Sequence, residues 1–301
     1  MFAIFTDTSA NLPTTLLEKY EIGCVPFAYY IDDLPHTCMD TDAFDAAEYY
    51  GEIRKGMTVT TSQVNPQTYI EAFTSELEKG NDVLFIGMSS GISGSYASSQ
   101  MAAAELSEKF PERKIVTIDT LAASLGEGFI ALHAVDCRRK GMDIEETQAY
   151  LLKRVGRMCQ LFTVDDLNHL RRTGRCSGVA AVLGTALQIK PILFGDTEGK
   201  IVIAKKKRGR KQAIKWIAEH YEKFVKDPEK QVVGIAHADC EADANYLKSL
   251  LIRTKPPKHI LTVDYEPVTG SHVGPGALAL FFECEDGIRE TLLSDTKAEE
   301  A

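Results

Sequence analysis

The sequence predicts an α/β protein of two domains, with a mostly parallel N-terminal sheet, flanking helices and an α+β C-terminal half. Three observations carry this expectation. The runs VLFIGM (83–88) and KIVTID (114–119) are largely apolar, as in strands buried on both faces. Helical spacing separates and follows them: Tyr96, Ala103, Leu106 and Phe110 share one face, and Leu125, Phe129 and Leu132 another. Finally, 301 residues at 44% hydrophobic content suffice for two modest cores.

Taken in order, FAIFT (2–6) reads as a strand ending at Asp7. IGCVPFAYYI (22–31) is rich in strand formers, and Pro26 marks an edge or a bend. Pro66 opens a helix. The stretch 142–157 is helical and closes a first domain, 1–157; the second spans 158–301. In that half LFTV (161–164), PILF (191–194) and KIVIA (200–204) read as strands, the last two joined by the turn-rich GDTEG as a hairpin. QVVGIAH (231–237), HILTVDY (259–265) and LALFFE (278–283) supply further strands, and EADANYLKSLLIR a helix. The polar tail DTKAEEA is expected to fray.

Composition narrows the function. A net charge of -9, from 34 basic and 43 acidic residues, argues against non-specific nucleic-acid binding and against docking on an anionic membrane. The N-terminus lacks the pattern of a signal peptide, and no run reaches the roughly 18–20 apolar residues of a membrane span. Seven scattered cysteines without a CxxC pair suit a reducing cytoplasm. His237 and Cys240 lack the further ligands of a zinc site, so no metal or cofactor is expected.

Five polar segments are candidates for chemistry. SSGISGSYASSQ (89–100) follows a buried strand and opens a helix, so glycine-exposed amides and the hydroxyls of Ser93 and Ser95 form a corner suited to a carboxylate or phosphate. The plainer reading is an ordinary helix cap. In VTTSQVN (59–65), Thr60, Thr61 and Ser62 offer three hydroxyls, whose plainer role is capping the helix at Pro66. VTGSHVGPGA (268–277) surrounds His272 with glycines and reads as a loop. LNHLRRTGRCSG (167–178) carries Arg171, Arg172 and Arg175, able to grip an oxyanion or merely to solvate a surface. KKKRGRK (205–211) is the strongly basic run; it reads as a solvated hairpin end or a docking patch.

TDTSANLP, TTSQVNP, SSGISGSY, TIDT, HLRRTGR, QIKPIL, KKRGRKQA and SHVGPGA occur in this order from the first strand to near residue 283. Together they resemble the DegV family of fatty-acid-binding proteins. The resemblance implies two α/β domains, a long-chain fatty acid in an apolar tunnel, and its carboxylate near the domain interface. It also implies a separate ATP-dependent kinase subunit of the dihydroxyacetone-kinase-like type that phosphorylates that carboxylate; this chain would be the lipid-binding subunit and no enzyme. Carried over by position, the carboxylate ligands are Thr61 or Ser62, Ser93 with the Gly94 N–H, and His272, supported by Arg172 or Arg175. Arg208 faces the kinase. Val64, Ser95 and Cys176 depart from the residues usual in the family, but none is a proposed ligand.

Three rivals remain. Ser93, Asp119 and His272 follow the chain order of an α/β-hydrolase triad, yet Gly91-Ile92-Ser93-Gly94-Ser95 is not a GxSxG elbow. A kinase of small ketones would require a Mg²⁺-binding acidic cluster that is not evident, and there is no GxxxxGK[ST] loop. A nucleic-acid regulator would rest on KKKRGRK alone.

Overall fold

The computed structural model describes residues 2–176 and 188–300. The chain forms two compact units. One comprises Met1–Phe44 and Thr58–Val155; the other comprises Asp45–Met57 and Gly156–Ala301. The excursion Asp45–Met57, which carries α2 (Ala46–Arg54), has no counterpart in the linear division read from the sequence.

The first unit is built on a parallel sheet of β1 (Phe2–Asp7), β2 (Ile22–Val25), β6 (Asp82–Gly87) and β7 (Ile115–Asp119), in the order β2-β1-β6-β7. Helices α3 (Pro66–Glu78) and α4 (Ser95–Lys109) pack together on one face, and α5 (Leu125–Arg139) and α6 (Ile144–Val155) on the other. Covered on both sides, the strands are largely apolar, which is why apolar runs revealed them. Phe5, Tyr69, Phe73 and Phe85 interlock beneath α3, with Phe73 in ring contact with the other three at centroid distances of 5.1 to 5.8 Å. The run 22–31 is two strands in two sheets. After Pro26 the chain leaves β2 and enters β3 (Ala28–Ile31), the centre of a small antiparallel sheet with β4 (Leu34–His36) and β5 (Val59–Ser62). Strand order reverses between β1 and β6, and a doubly wound sheet opens a crevice outside its carboxyl ends at such a point.

The second unit holds a six-stranded sheet, β10-β9-β8-β13-β11-β12, built from β8 (Met158–Thr163), β9 (Ile189–Gly195), β10 (Ile201–Arg208), β11 (Val232–His237), β12 (His259–Asp264) and β13 (Leu278–Glu283). Only β11 and β12 run parallel; the remaining pairs are antiparallel. Helices α8 (Arg210–Phe224) and α9 (Glu241–Thr254) pack on this sheet. Ala213, Ile214, Ile217, Tyr221 and Phe224 recur at helical spacing on the buried side of α8 and meet Leu161, Phe194 and Phe282.

Three expectations need correction. The basic run is no hairpin end, because β10 continues through it: Lys205, Lys206, Lys207 and Arg208 pair with Ile192, Pro191, Lys190 and Ile189. Gly209, at φ +90°, then breaks the strand and lets α8 begin. Likewise the segment around His272 is helical over α10 (Pro267–Val273). Glu266 caps its amides, accepting from Val268 and Thr269, and Pro267 fits the first turn. The tail does not fray either: α11 runs from Ile288 to Glu300. Among the described residues, no helix is long and apolar enough to cross a membrane.

Candidate functional site

In the first unit two of the polar segments meet at the carboxyl end of the parallel sheet. After β6 the chain turns tightly, with the amides of Ile92 and Ser93 donating to the Ser89 carbonyl. The Ser93 hydroxyl donates to Ser95 Oγ at 2.9 Å, and the Val64 amide donates to the same oxygen at 3.0 Å. Gln63 Nε2 reaches Ser98 Oγ at 3.4 Å. A Cβ on Gly94 would fall 2.0 Å from Gln63 Oε1, so the loop after β5 lies directly against the corner. Ser95, read from the sequence either as a helix cap or as a hydroxyl turned outward to a ligand, is a buried tie between 59–65 and 89–98.

The plainer role for the threonine cluster also falls away. Asn65 Oδ1 caps α3 by accepting from the Thr68 amide, while Thr60, Thr61 and Ser62 lie in β5. Adjacent strand residues point to opposite faces, so Thr61 and Ser62 do not share a side. Ser62 Oγ lies 3.4 Å from the Tyr30 hydroxyl, which separates it from Thr61 as a ligand.

In the second unit α10 packs on α7 (Leu167–Thr173) and brings 167–175 to 268–277. His169 donates through Nε2–H to the Ser271 carbonyl, and its Nδ1 accepts from Arg172 Nη2 at 3.4 Å. Thr173 Oγ1 donates to the His272 carbonyl at 3.2 Å. Burial, then the charge of Arg175, then His169 lower the His272 pKa to about 3, so its imidazole is neutral and donates a single N–H. Arg175 is thus the arginine beside His272, whereas Arg172 leans on His169. Both guanidinium groups are exposed. The part of this segment from Ser177 onward lies outside the described residues. Helix α2 supports α10 from below: Tyr49 donates to the Pro267 carbonyl at 2.9 Å and Tyr50 to the Tyr265 carbonyl at 2.6 Å. Gly270 admits the Tyr50 hydroxyl, since a Cβ there would lie 1.8 Å from it. The sequence reading did not find these tyrosines; YY in a polar stretch carries no sign of a partner more than two hundred residues away.

Asp119 Oδ1 accepts from the amides of Ser90 and Leu121, at 3.2 and 3.0 Å, and so shapes the turn. Among the described residues no group of three His, Cys, Asp or Glu side chains is placed to hold a metal.

Residues 1–285 match the DegV protein family. The chain belongs to the DegV family. A DegV domain-containing protein of Clostridium perfringens is 36% identical over 282 residues, covering 93% of this chain and 97% of the relative. Among solved structures, a DegV family protein from Thermus thermophilus, described for its fatty acid binding, matches at a TM-score of 0.85 and 27% identity, covering 94% of this chain and 99% of the other. The DegV protein of Bacillus subtilis, described as a fatty acid binding protein, matches at 0.80 and 28%, with 94% and 99% covered. A fatty acid binding DegV family protein from Streptococcus agalactiae matches at 0.84 and 28%, with 95% and 99% covered. These likenesses agree with the α/β architecture read from the sequence.

Proposed function

We propose that this DegV protein binds a long-chain fatty acid and presents its carboxylate to a separate ATP-dependent kinase of the dihydroxyacetone-kinase-like type, without catalysing a reaction itself. The observation that carries the reading is the meeting of 59–65 with the Ser93–Gly94 corner at the crevice end of the parallel sheet. Thr61, Ser93 and the Gly94 amide are the proposed ligands there. Hydroxyl and amide donors favour an ionised head group without needing a cation at its centre. Each buried methylene contributes about 0.8 kcal/mol, so a sixteen-carbon chain supplies on the order of 10 kcal/mol before ordering costs. That suits sub-micromolar binding in the cytoplasm.

Mass spectrometry of an organic extract of the purified protein tests this directly. A fatty acid at close to one per chain is the expected result. No acid in the extract, together with none taken up on titration of delipidated protein, would remove the reading.

Docking is proposed for the outer edge of the second sheet. β10 is an edge strand, and Lys206 and Arg208 on it are exposed. Exposed lysines and arginines keep such an edge from pairing with other strands and offer charge to an acidic partner. Arg208→Ala is expected to bind fatty acid normally and to slow phosphorylation by the kinase at least tenfold. A wild-type rate in the reconstituted reaction removes the docking role.

A further inference from the structure

Two carboxyl groups of the first unit are buried together. Asp7 ends β1 and Glu127 projects from α5, and they are 1% and 0% exposed. Two hydroxyls meet them. Ser9 Oγ contacts Asp7 Oδ1 and, at 2.8 Å, Glu127 Oε2. Thr6 Oγ1 contacts the Ile86 carbonyl and Glu127 Oε1, both at 2.9 Å. Oxygens at such distances need a proton between them. The two hydroxyls supply one each, so two of the four pairs depend on the carboxyls. A carboxyl carries one proton, so Asp7 and Glu127 each supply one.

One arrangement satisfies every pair. The Ile86 carbonyl can only accept, so Thr6 donates to it. Glu127 Oε1–H then donates to Thr6, and Glu127 Oε2 is left to accept from Ser9. Ser9 has given its proton there, so Asp7 Oδ1–H donates to Ser9 Oγ, while the same Oδ1 accepts from the Ser9 amide at 2.9 Å. The hydrogen bonds run in one direction from the end of β1, through α5, to β6, and both acids are neutral.

The surroundings favour this state. Facing the pair are Tyr69 of α3, the Met88 amide and the hydroxyls already named, and none of them carries a positive charge. Helix α6, which packs on α5, buries Ile144, Thr147, Leu151 and Val155, none of them ionisable. Burial raises Asp7 to about 6; burial, then the neighbouring Asp7, hold Glu127 far above the ordinary carboxylate range.

We propose that Asp7 and Glu127 are a neutral acid pair that clasps β1 to α5 and opens stepwise as pH rises. The clasp holds whether or not the protein binds a fatty acid. Asp7 ionises first. Its proton leaves for solvent, Ser9 turns its own proton back to Asp7 Oδ1, and the Ser9–Glu127 link is lost. Glu127 follows at higher pH, and the Thr6 link goes with it. In the unfolded chain both are ordinary acids, ionised above about pH 5. The folded protein holds more protons, so its stability falls as pH rises. The contribution of Asp7 is complete below about pH 4 and lost through pH 6; that of Glu127 is still being lost between pH 6 and 8.

Carbon-13 NMR of the full chain, labelled at its Asp and Glu carboxyls, reads these protons directly. One glutamate carboxyl is expected to stay protonated at pH 7 and one aspartate carboxyl at pH 5. Glutamates all ionised at pH 7, or aspartates all ionised at pH 5, overturn the neutral pair. Glu127→Gln preserves the pattern, its amide N–H donating to Thr6 and its oxygen accepting from Ser9. Urea denaturation followed by circular dichroism at pH 6, 7 and 8 should show the wild-type unfolding constant rising relative to this variant by up to about tenfold per pH unit. A ratio that stays constant over that range overturns the clasp as well.

Discussion

Replacing Thr61 and Ser93 together by alanine is expected to weaken fatty-acid binding by roughly a hundredfold to ten-thousandfold while the fold survives. A hydrogen bond to a charged group contributes about 1.5–3 kcal/mol, and two such donors would be lost. Both side chains are half-buried, and neither belongs to the apolar core of the first unit. The substitution leaves Ser95 tied to the Val64 amide, so the two loops still meet. Titration with a fatty acid, with circular dichroism as the check on folding, measures the effect. A dissociation constant within threefold of the wild type would show that the head group lies elsewhere. The single variant Ser62→Ala should change little, because that hydroxyl is beside Tyr30.

Phe73→Ala should be the most damaging single change to stability in the first unit. Phe73 is 0% exposed and touches Phe5, Tyr69 and Phe85. Truncating such a ring loses its transfer free energy and leaves a cavity, at a cost of about 3–5 kcal/mol. Phe73→Leu should recover most of that. Urea denaturation of the three proteins reads the difference from the shift in midpoint. Equal midpoints for Phe73→Ala and wild type would mean that the aromatic cluster contributes little.

The parallel sheet was legible because burial on both faces leaves a long apolar run, as at 83–88 and 115–119. The split at Pro26 was half legible: the proline announced a break, but nothing local says that the residues after it join another sheet. KKKRGRK misled because charge suggests a turn, whereas an edge strand tolerates lysine on its open side. The glycines around His272 suggest a loop, where the chain is helical. Of these, Gly270 is helical and admits Tyr50, and only Gly274 and Gly276 have positive φ. Glu127 had one visible sign, a carboxylate flanked by glycine within the apolar stretch LGEGFIAL, on the side of a helix that should be apolar. What it meets, Thr6 and Ser9, is more than a hundred residues earlier, and no spacing rule reaches that far.

The membership of α2 in the second unit has a consequence for synthesis on the ribosome. Tyr49 and Tyr50 emerge about two hundred residues before the carbonyls they bond to. The N-terminal half therefore begins life with a helix whose aromatic side has nothing to rest on. A fragment starting at residue 156 would lack that helix altogether. The protein is sewn together in the order of space rather than of translation, so the residues around Tyr265 and Pro267 must be released before the thirteen residues at 45–57 can find their seat.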